Sequence, residues 1–326
     1  MKIKHAFVAY RHFRSILDNQ PMMSGCYQWI RVFDSDIVNF WQVIEDPEKW
    51  DVIQFNMDSL DMNMLFEVRR KIGWESSTKL VANMDYAPGI WKTSYPQPLH
   101  VKHAFLQADR IFATNPEGRD WIERLTGRKV ALITHPCETH VLKRIGTTFK
   151  SEHVAIIYHR YDNEVFAPYL ALHDIGYVIS MVGYMESKDP RANYTKTMYD
   201  NVIPYLKFID FVKLLAESSV AYEPFSISSP GRATIDTGCV RTPTVGSNRV
   251  YSMRVVWPET CADPYDVKRL RELTLALIHN EDFRNDVVEQ AYYNVEFFGH
   301  KASREKYMQM LEEGRENEEM IKNYVS

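Results

Sequence analysis

At 326 residues, 45% of them apolar, the chain is long enough for about two packed domains and too long for one small stapled module. Thirty-nine basic against 43 acidic side chains leave a net charge of -4, which excludes the broad basic footprint of general nucleic-acid binding. Four scattered cysteines (Cys26, Cys137, Cys239, Cys261) form no CxxC pair, which argues against a disulfide framework or a cysteine zinc site and for reduced thiols.

Short β-branched runs alternate with longer amphipathic ones, the pattern of parallel sheets covered by helices. Ile3–Val8 reads as the first strand, followed by the basic, aromatic loop Ala9–Arg14. Ser24–Arg31 leads into a helix, and Val52–Phe55 is a second strand. Asp61–Lys71 reads as a helix from the spacing of Met62, Leu65, Phe66 and Val68. Leu80–Met84 is a strand that ends at Asp85, Val101–Ala108 a helix and Arg110–Ala113 a strand. Pro116–Leu125 is a helix that Gly127 stops, and Lys129–Ile133 closes the first half.

The polar stretch Arg144–Glu152 reads as a linker. Val154–Tyr158 restarts the pattern, with the loop His159–Asn163 and a helix to about His173. Tyr177–Val182 is a strand, Val202–Ile203 a short one, Lys207–Glu217 a helix and Ser219–Tyr222 a strand. Then comes Glu223-Pro-Phe-Ser-Ile-Ser-Ser-Pro-Gly-Arg232, opening a helix to Val240, and Thr242-Pro-Thr-Val-Gly-Ser247 as turn and strand. Asp266–His279, Glu281–Phe297 and Lys301–Met310 are helices before an acidic end. No run approaches 18 uncharged apolar residues. The N-terminal apolar run is too short for a signal peptide and has no small-residue cleavage site. The expectation is a cytoplasmic chain without a membrane span.

In open α/β sheets ligands bind beyond the C-terminal ends of the strands. The loops after strands therefore make a short list of candidate site residues. The Ser228–Arg232 loop stands out because Ser228, Ser229 and Gly231 precede a helix start. Backbone N–H groups and the helix dipole there suit a phosphate, and Arg232 can add a bidentate guanidinium. The plain alternative is an ordinary strand–turn–helix with a Ser-rich turn. Arg160 follows the first strand of the second half, as a phosphate ligand or a surface charge. Asp85 either holds or deprotonates a hydroxyl, or makes an Asx turn before Ala87-Pro88-Gly89. His12 follows the first strand, and Gly25 either lets a diphosphate approach the backbone or simply makes a turn. Trp29 and Trp91 lie in loops where they can stack on a sugar or base, or pack as core. No ligand set for a metal emerges; His135 and His140 lack further partners. Neither GxGxxG after a strand nor GxxxxGK[ST] is present.

The segment Asp236, Thr237-Gly238, Pro243, Thr244-Val245-Gly246 resembles the donor-binding segment of glycosyltransferases of the GT-B fold, most closely the large retaining family that uses nucleotide sugars. Ala108–Thr114 and Ala276–Glu296 are also similar to family segments. The chain departs from the family at Ser228, where a glutamate is usual, at Asp236 in place of glutamate, and at Met84, where a histidine often precedes the aspartate. The resemblance implies an α/β architecture of two Rossmann-like domains facing across a cleft, with C-terminal helices returning to the N-terminal domain. It divides the chain into 1–147 for the acceptor, 148–305 for the donor and 306–326 as the returning helix. It implies metal-independent transfer of a sugar from a UDP- or GDP-sugar co-substrate, with no other cofactor, to an unidentified acceptor: glycan, protein or modified nucleic acid. Asp85, Asp236 and His12 become catalytic candidates; Arg160, Ser228, Ser229, Gly231, Arg232 and Gly25 become donor ligands. Two other readings stand beside this one, an inactive binding module of the same fold and a nucleotide-sugar epimerase.

Overall fold

The computed structural model describes residues 3–8, 25, 28–57, 59–84, 98–146, 151–157, 166–184 and 197–313. The chain divides into two compact units, residues 1–136 with 300–326, and residues 137–299.

In the first unit the strands are β1 (His5–Val8), β2 (Asp36–Val38), β3 (Val52–Asn56), β4 (Lys79–Met84), β5 (Arg110–Ala113) and β6 (Ala131–Leu132). The helices are α1 (Gln28–Phe33), α2 (Phe40–Glu45), α3 (Ser59–Ile72), α4 (Pro98–Leu106) and α5 (Pro116–Thr126). The strands pair in parallel in the order β2-β1-β3-β4-β5-β6. Alternate residues feed two apolar layers, as a sheet buried on both faces requires. Ala6, Ile53, Phe55, Leu80 and Ala82 face one layer, with Met62, Leu65 and Val68 of α3. Phe7, Val52, Val81 and Phe112 face the other. Helix α5 shows how local chemistry sets the bounds. Asn115 accepts from the Gly118 N–H at the start, Pro116 opens the first turn, and Gly127 ends it at φ 70°.

The second unit contains α6 (Thr139–Leu142), β7 (Ser151–Ile157), α7 (Phe166–Leu172), β8 (Val178–Tyr184), β9 (Asn201–Pro204), α8 (Phe208–Glu217) and β10 (Ser218–Glu223). It continues with α9 (Ala233–Cys239), β11 (Thr244–Ser247), α10 (Tyr251–Val256), β12 (Cys261–Ala262), α11 (Val267–His279) and α12 (Glu281–Asn294). Its sheet is also fully parallel, ordered β12-β11-β10-β7-β8-β9.

The last helix, α13 (His300–Glu312), belongs to the first unit, where Tyr307 is buried against Trp29, Phe33 and Phe112. The second unit starts at Cys137, ahead of the polar stretch read as a linker. The Cys137 N–H donates to the Phe298 carbonyl at 2.7 Å and the Thr139 hydroxyl to Glu296 at 3.1 Å, so this backbone is already committed there.

Five short elements were not anticipated: β2, α2, α6, α10 and β12. Strand β2 lies on the sheet edge with Asp36 in it. The Asp36 carboxylate accepts from Trp50 Nε1 at 2.7 Å.

Candidate functional site

In the second sheet β10 and β7 are hydrogen-bonded neighbours, and the chain order runs outward from them in opposite directions. They form the topological switch point, beyond whose C-terminal ends open α/β sheets bind ligands. Strand β10 ends at Glu223, so the loop 224–232 leaves from that point. The equivalent point of the first sheet lies between β1 and β3.

The loop is pinned to the connection between β11 and α10. The Ser229 N–H donates to Arg249 O, the Tyr251 N–H to Ser229 O, and the Ser252 N–H to Pro230 O, at 3.2, 2.8 and 3.1 Å. The Gly231 N–H donates to Ser229 Oγ at 3.2 Å. Two amides of the phosphate cradle read from sequence are thus engaged within the protein. Gly231 has φ +67°, and a Cβ on it would overlap Ser252 Oγ and Val250 Cγ1. Gly231→Ala is expected to cost about 2–5 kcal/mol from left-handed strain plus overpacking. Thermal or urea unfolding of the variant checks it, and wild-type stability would mean that the loop shifts freely.

Helix α9 is buried at every position. Arg232 stands at its N-cap, with Nε 2.7 Å from Asp236 Oδ1 one turn on. The Arg232 side chain is 15% exposed and that of Asp236 1%. Nη1 and Nη2 of Arg232 are closed to solvent and have no hydrogen-bond partner among the described residues. The Phe208 ring lies over the guanidinium, 5.2 Å from centroid to Cζ. Burial pushes the Asp236 carboxyl up to about 6, a rise that Arg232 only partly offsets. Burial pulls the guanidinium down, but the charge and hydrogen bond of the Asp236 carboxylate hold it above its ordinary value. The two shifts point opposite ways for the worth of the pair. The 2.7 Å hydrogen bond favours the ionised pair, so burial reads as a cost that both partners bear.

The structure therefore brings Ser228, Ser229, Gly231, Arg232 and Asp236 together in one loop and helix. Asp85, His12 and Arg160 lie outside the described residues, as does Trp91. Gly25 is in the first unit at φ +68°, a backbone angle that favours glycine, with nothing among the described residues within 4 Å of a Cβ placed on it. Trp29 is not in a loop: it is a fully buried residue of α1, because Trp29 and Phe33 stand one turn apart and both pack on Tyr307. His135 is buried and His140 exposed. Among the described residues no three or more His, Cys, Asp or Glu side chains are grouped to hold a metal ion. None of the helices there is long and apolar enough to cross a membrane.

One polar pair escaped the sequence reading. Asn56 and Asn83 are register partners at the C-terminal ends of β3 and β4, with Asn83 Nδ2 donating to Asn56 Oδ1 at 2.5 Å. The signal available was an asparagine at the end of each of two apolar strands.

Two tandem parallel sheets with these strand orders place the chain in the GT-B fold, and solved glycosyltransferases share it. HepE from Anabaena in complex with UDP-glucose superposes with a TM-score of 0.71 at 11% identity, over 95% of this chain and 99% of that one. An α-glucosyltransferase in complex with UDP and a 13-mer DNA containing an HMU base gives 0.68 at 8%, over 96% and 100%. The apo structure of OtsA gives 0.67 at 9%, over 84% and 77%. At these identities the likeness is one of fold. No protein-family model matches the sequence, and no curated protein is similar to it in sequence.

Proposed function

We propose that the chain is a cytoplasmic, metal-independent glycosyltransferase that moves a sugar from a UDP- or GDP-sugar to a hydroxyl acceptor. The observation that carries this reading is the buried guanidinium of Arg232, with two unpartnered nitrogens, on the loop that leaves the switch point of the second sheet. A buried cation short of acceptors is costly, and a diphosphate supplies the missing oxygens. Solved proteins of the same fold hold UDP-glucose or UDP.

The leaving group of such a transfer is a nucleoside diphosphate, so charge develops on its terminal phosphate as the glycosidic bond breaks. Arg232, aided by the Ser228 and Ser229 hydroxyls and by Arg160 after β7, stabilises that charge and lowers the barrier, while the engaged Gly231 amide shapes the loop. Gly25 is a further candidate for close approach of a ligand to the backbone. Asp85, following β4, takes the proton of the acceptor hydroxyl, with His12 after β1 as the other candidate base. The acceptor is a glycan, a protein or a modified nucleic acid.

One observation favours an inactive binding module instead. Asp236, the acidic residue of the motif, is buried and already engaged by Arg232, and Ser228 stands where a second carboxylate would act. Calorimetric titration with UDP and GDP, followed by a donor-turnover assay, separates the readings. Binding with turnover is the expected result. Binding alone identifies the inactive module, a released epimer identifies an epimerase, and no binding of either nucleotide overturns all three.

A further inference from the structure

We infer that Asp236 is a positioning residue: it holds the Nε side of Arg232 so that Nη1 and Nη2 are presented to a diphosphate, and it makes no contact with the donor itself. This rests on the reading above of Arg232 as the phosphate ligand.

A guanidinium offers five N–H donors in a rigid plane, and the edge used by one partner decides which edge is left. Asp236 takes Nε, at 2.7 Å. The Nη1/Nη2 edge remains, two parallel donors whose spacing matches two oxygens of a phosphate. Those two atoms have no acceptor among the described residues. Phe208 covers the face of the plane and limits rotation about the side chain. The carboxylate is 1% exposed, on a helix buried at all seven positions, and its Oδ1 is already engaged by Arg232 Nε, whereas Nη1 and Nη2 are left without an acceptor. The short aspartate stem suits this role. Four positions along the chain and one turn along the helix, its carboxylate meets Nε without crossing to the far edge. Burial raises the pull of each charge-assisted bond, so the orientation of the guanidinium matters more than it would on the surface.

The test compares nucleoside diphosphate with nucleoside. Calorimetry with UDP and uridine, and with GDP and guanosine, is run on wild type, on Asp236→Asn, and on the double variant Arg232→Met with Asp236→Leu. Asp236→Asn keeps an oxygen near Nε and removes the charge. It is expected to lose about tenfold to a hundredfold in diphosphate affinity, the size of one or two charge-assisted bonds, with nucleoside affinity within about twofold. The double variant replaces the pair by apolar groups of similar volume. It is expected to unfold near the wild-type temperature while binding the diphosphate no better than the nucleoside. Diphosphate affinity unchanged in Asp236→Asn overturns the inference, as does an equal loss for nucleoside and diphosphate, which marks a merely structural role. If wild type binds neither UDP nor GDP, the functional reading falls, and this inference with it; if wild type binds and only the variants disagree, the inference alone falls.

Discussion

Arg232→Ala is expected to remove diphosphate affinity and to destabilise the second unit, two effects that should separate with pH. On binding, two charge-assisted bonds to phosphate are worth about 1.5–3 kcal/mol each before non-additivity, so a loss of a hundredfold or more is expected. On stability, the change strands Asp236 at 1% exposure without its cation, and breaking one side of a buried pair costs about 3–5 kcal/mol. The carboxyl already sits at about 6 with Arg232 beside it, because burial disfavours its charge. Without Arg232 it rises further and takes up a proton, which caps the penalty. The folded value lies above the ordinary 3.8, so the folded variant binds the proton more tightly than the unfolded chain. Its destabilisation is therefore smallest in mild acid and grows as pH rises through the raised value. Urea unfolding of wild type and variant between pH 5 and 8 measures this. A penalty independent of pH would mean that Asp236 stays ionised with another partner, and an unchanged UDP affinity would remove Arg232 from the site.

The architecture was legible because parallel strands buried on both faces write themselves as continuous apolar runs. Arg110–Ala113 and the start of α5 at Pro116 agree to the residue, since Asn115, Pro116 and Gly127 mark the helix bounds with unambiguous chemistry. Short elements were not legible. Strand β2 offers three residues and α6 four, too few to show a period. At the candidate site, the ion pair of Arg232 and Asp236 was available from their spacing of four along a helix. Residue type suggested the roles; only burial shows that one side chain occupies the other. Arg241 marks another limit. It takes φ 55°, a left-handed angle more natural to glycine, at the end of α9. Its guanidinium lies 3.8 Å from the Tyr292 ring centroid and its Nη2 2.9 Å from Glu289 on α12, contacts that offset the backbone cost and that no local pattern announces.

The first unit should lose stability in acid through one histidine. His5 on β1 is buried, with Nδ1 2.8 Å from Ser35 Oγ and Nε2 3.1 Å from Tyr307 Oη on α13, and its ring stacks on Phe33 at 4.8 Å. Burial pulls its pKa down to about 3; the nearby Gln54 amide offsets a little of this, although neither amide atom reaches hydrogen-bond geometry. The folded value lies below the ordinary 6.5, so the folded state refuses a proton that the unfolded chain accepts. Above about 6.5 neither form is charged and His5 costs nothing; as pH falls from there toward 3 the unfolded chain gains the proton and stability falls, by up to about 1.4 kcal/mol per pH unit. Over that window the loss reaches about 4–5 kcal/mol, close to the whole stability of a domain at the low end of the ordinary range of about 5–15 kcal/mol. Six of the seven tryptophans lie in the first unit, so tryptophan fluorescence in urea follows its unfolding. His5→Phe keeps the stacking surface and removes the titrating nitrogen. The difference in unfolding free energy between wild type and this variant should slope with pH between about 6.5 and 4 and flatten above 7. A difference that stays level across that range would show that His5 is not held neutral, and that the join between β1 and α13 tolerates charge.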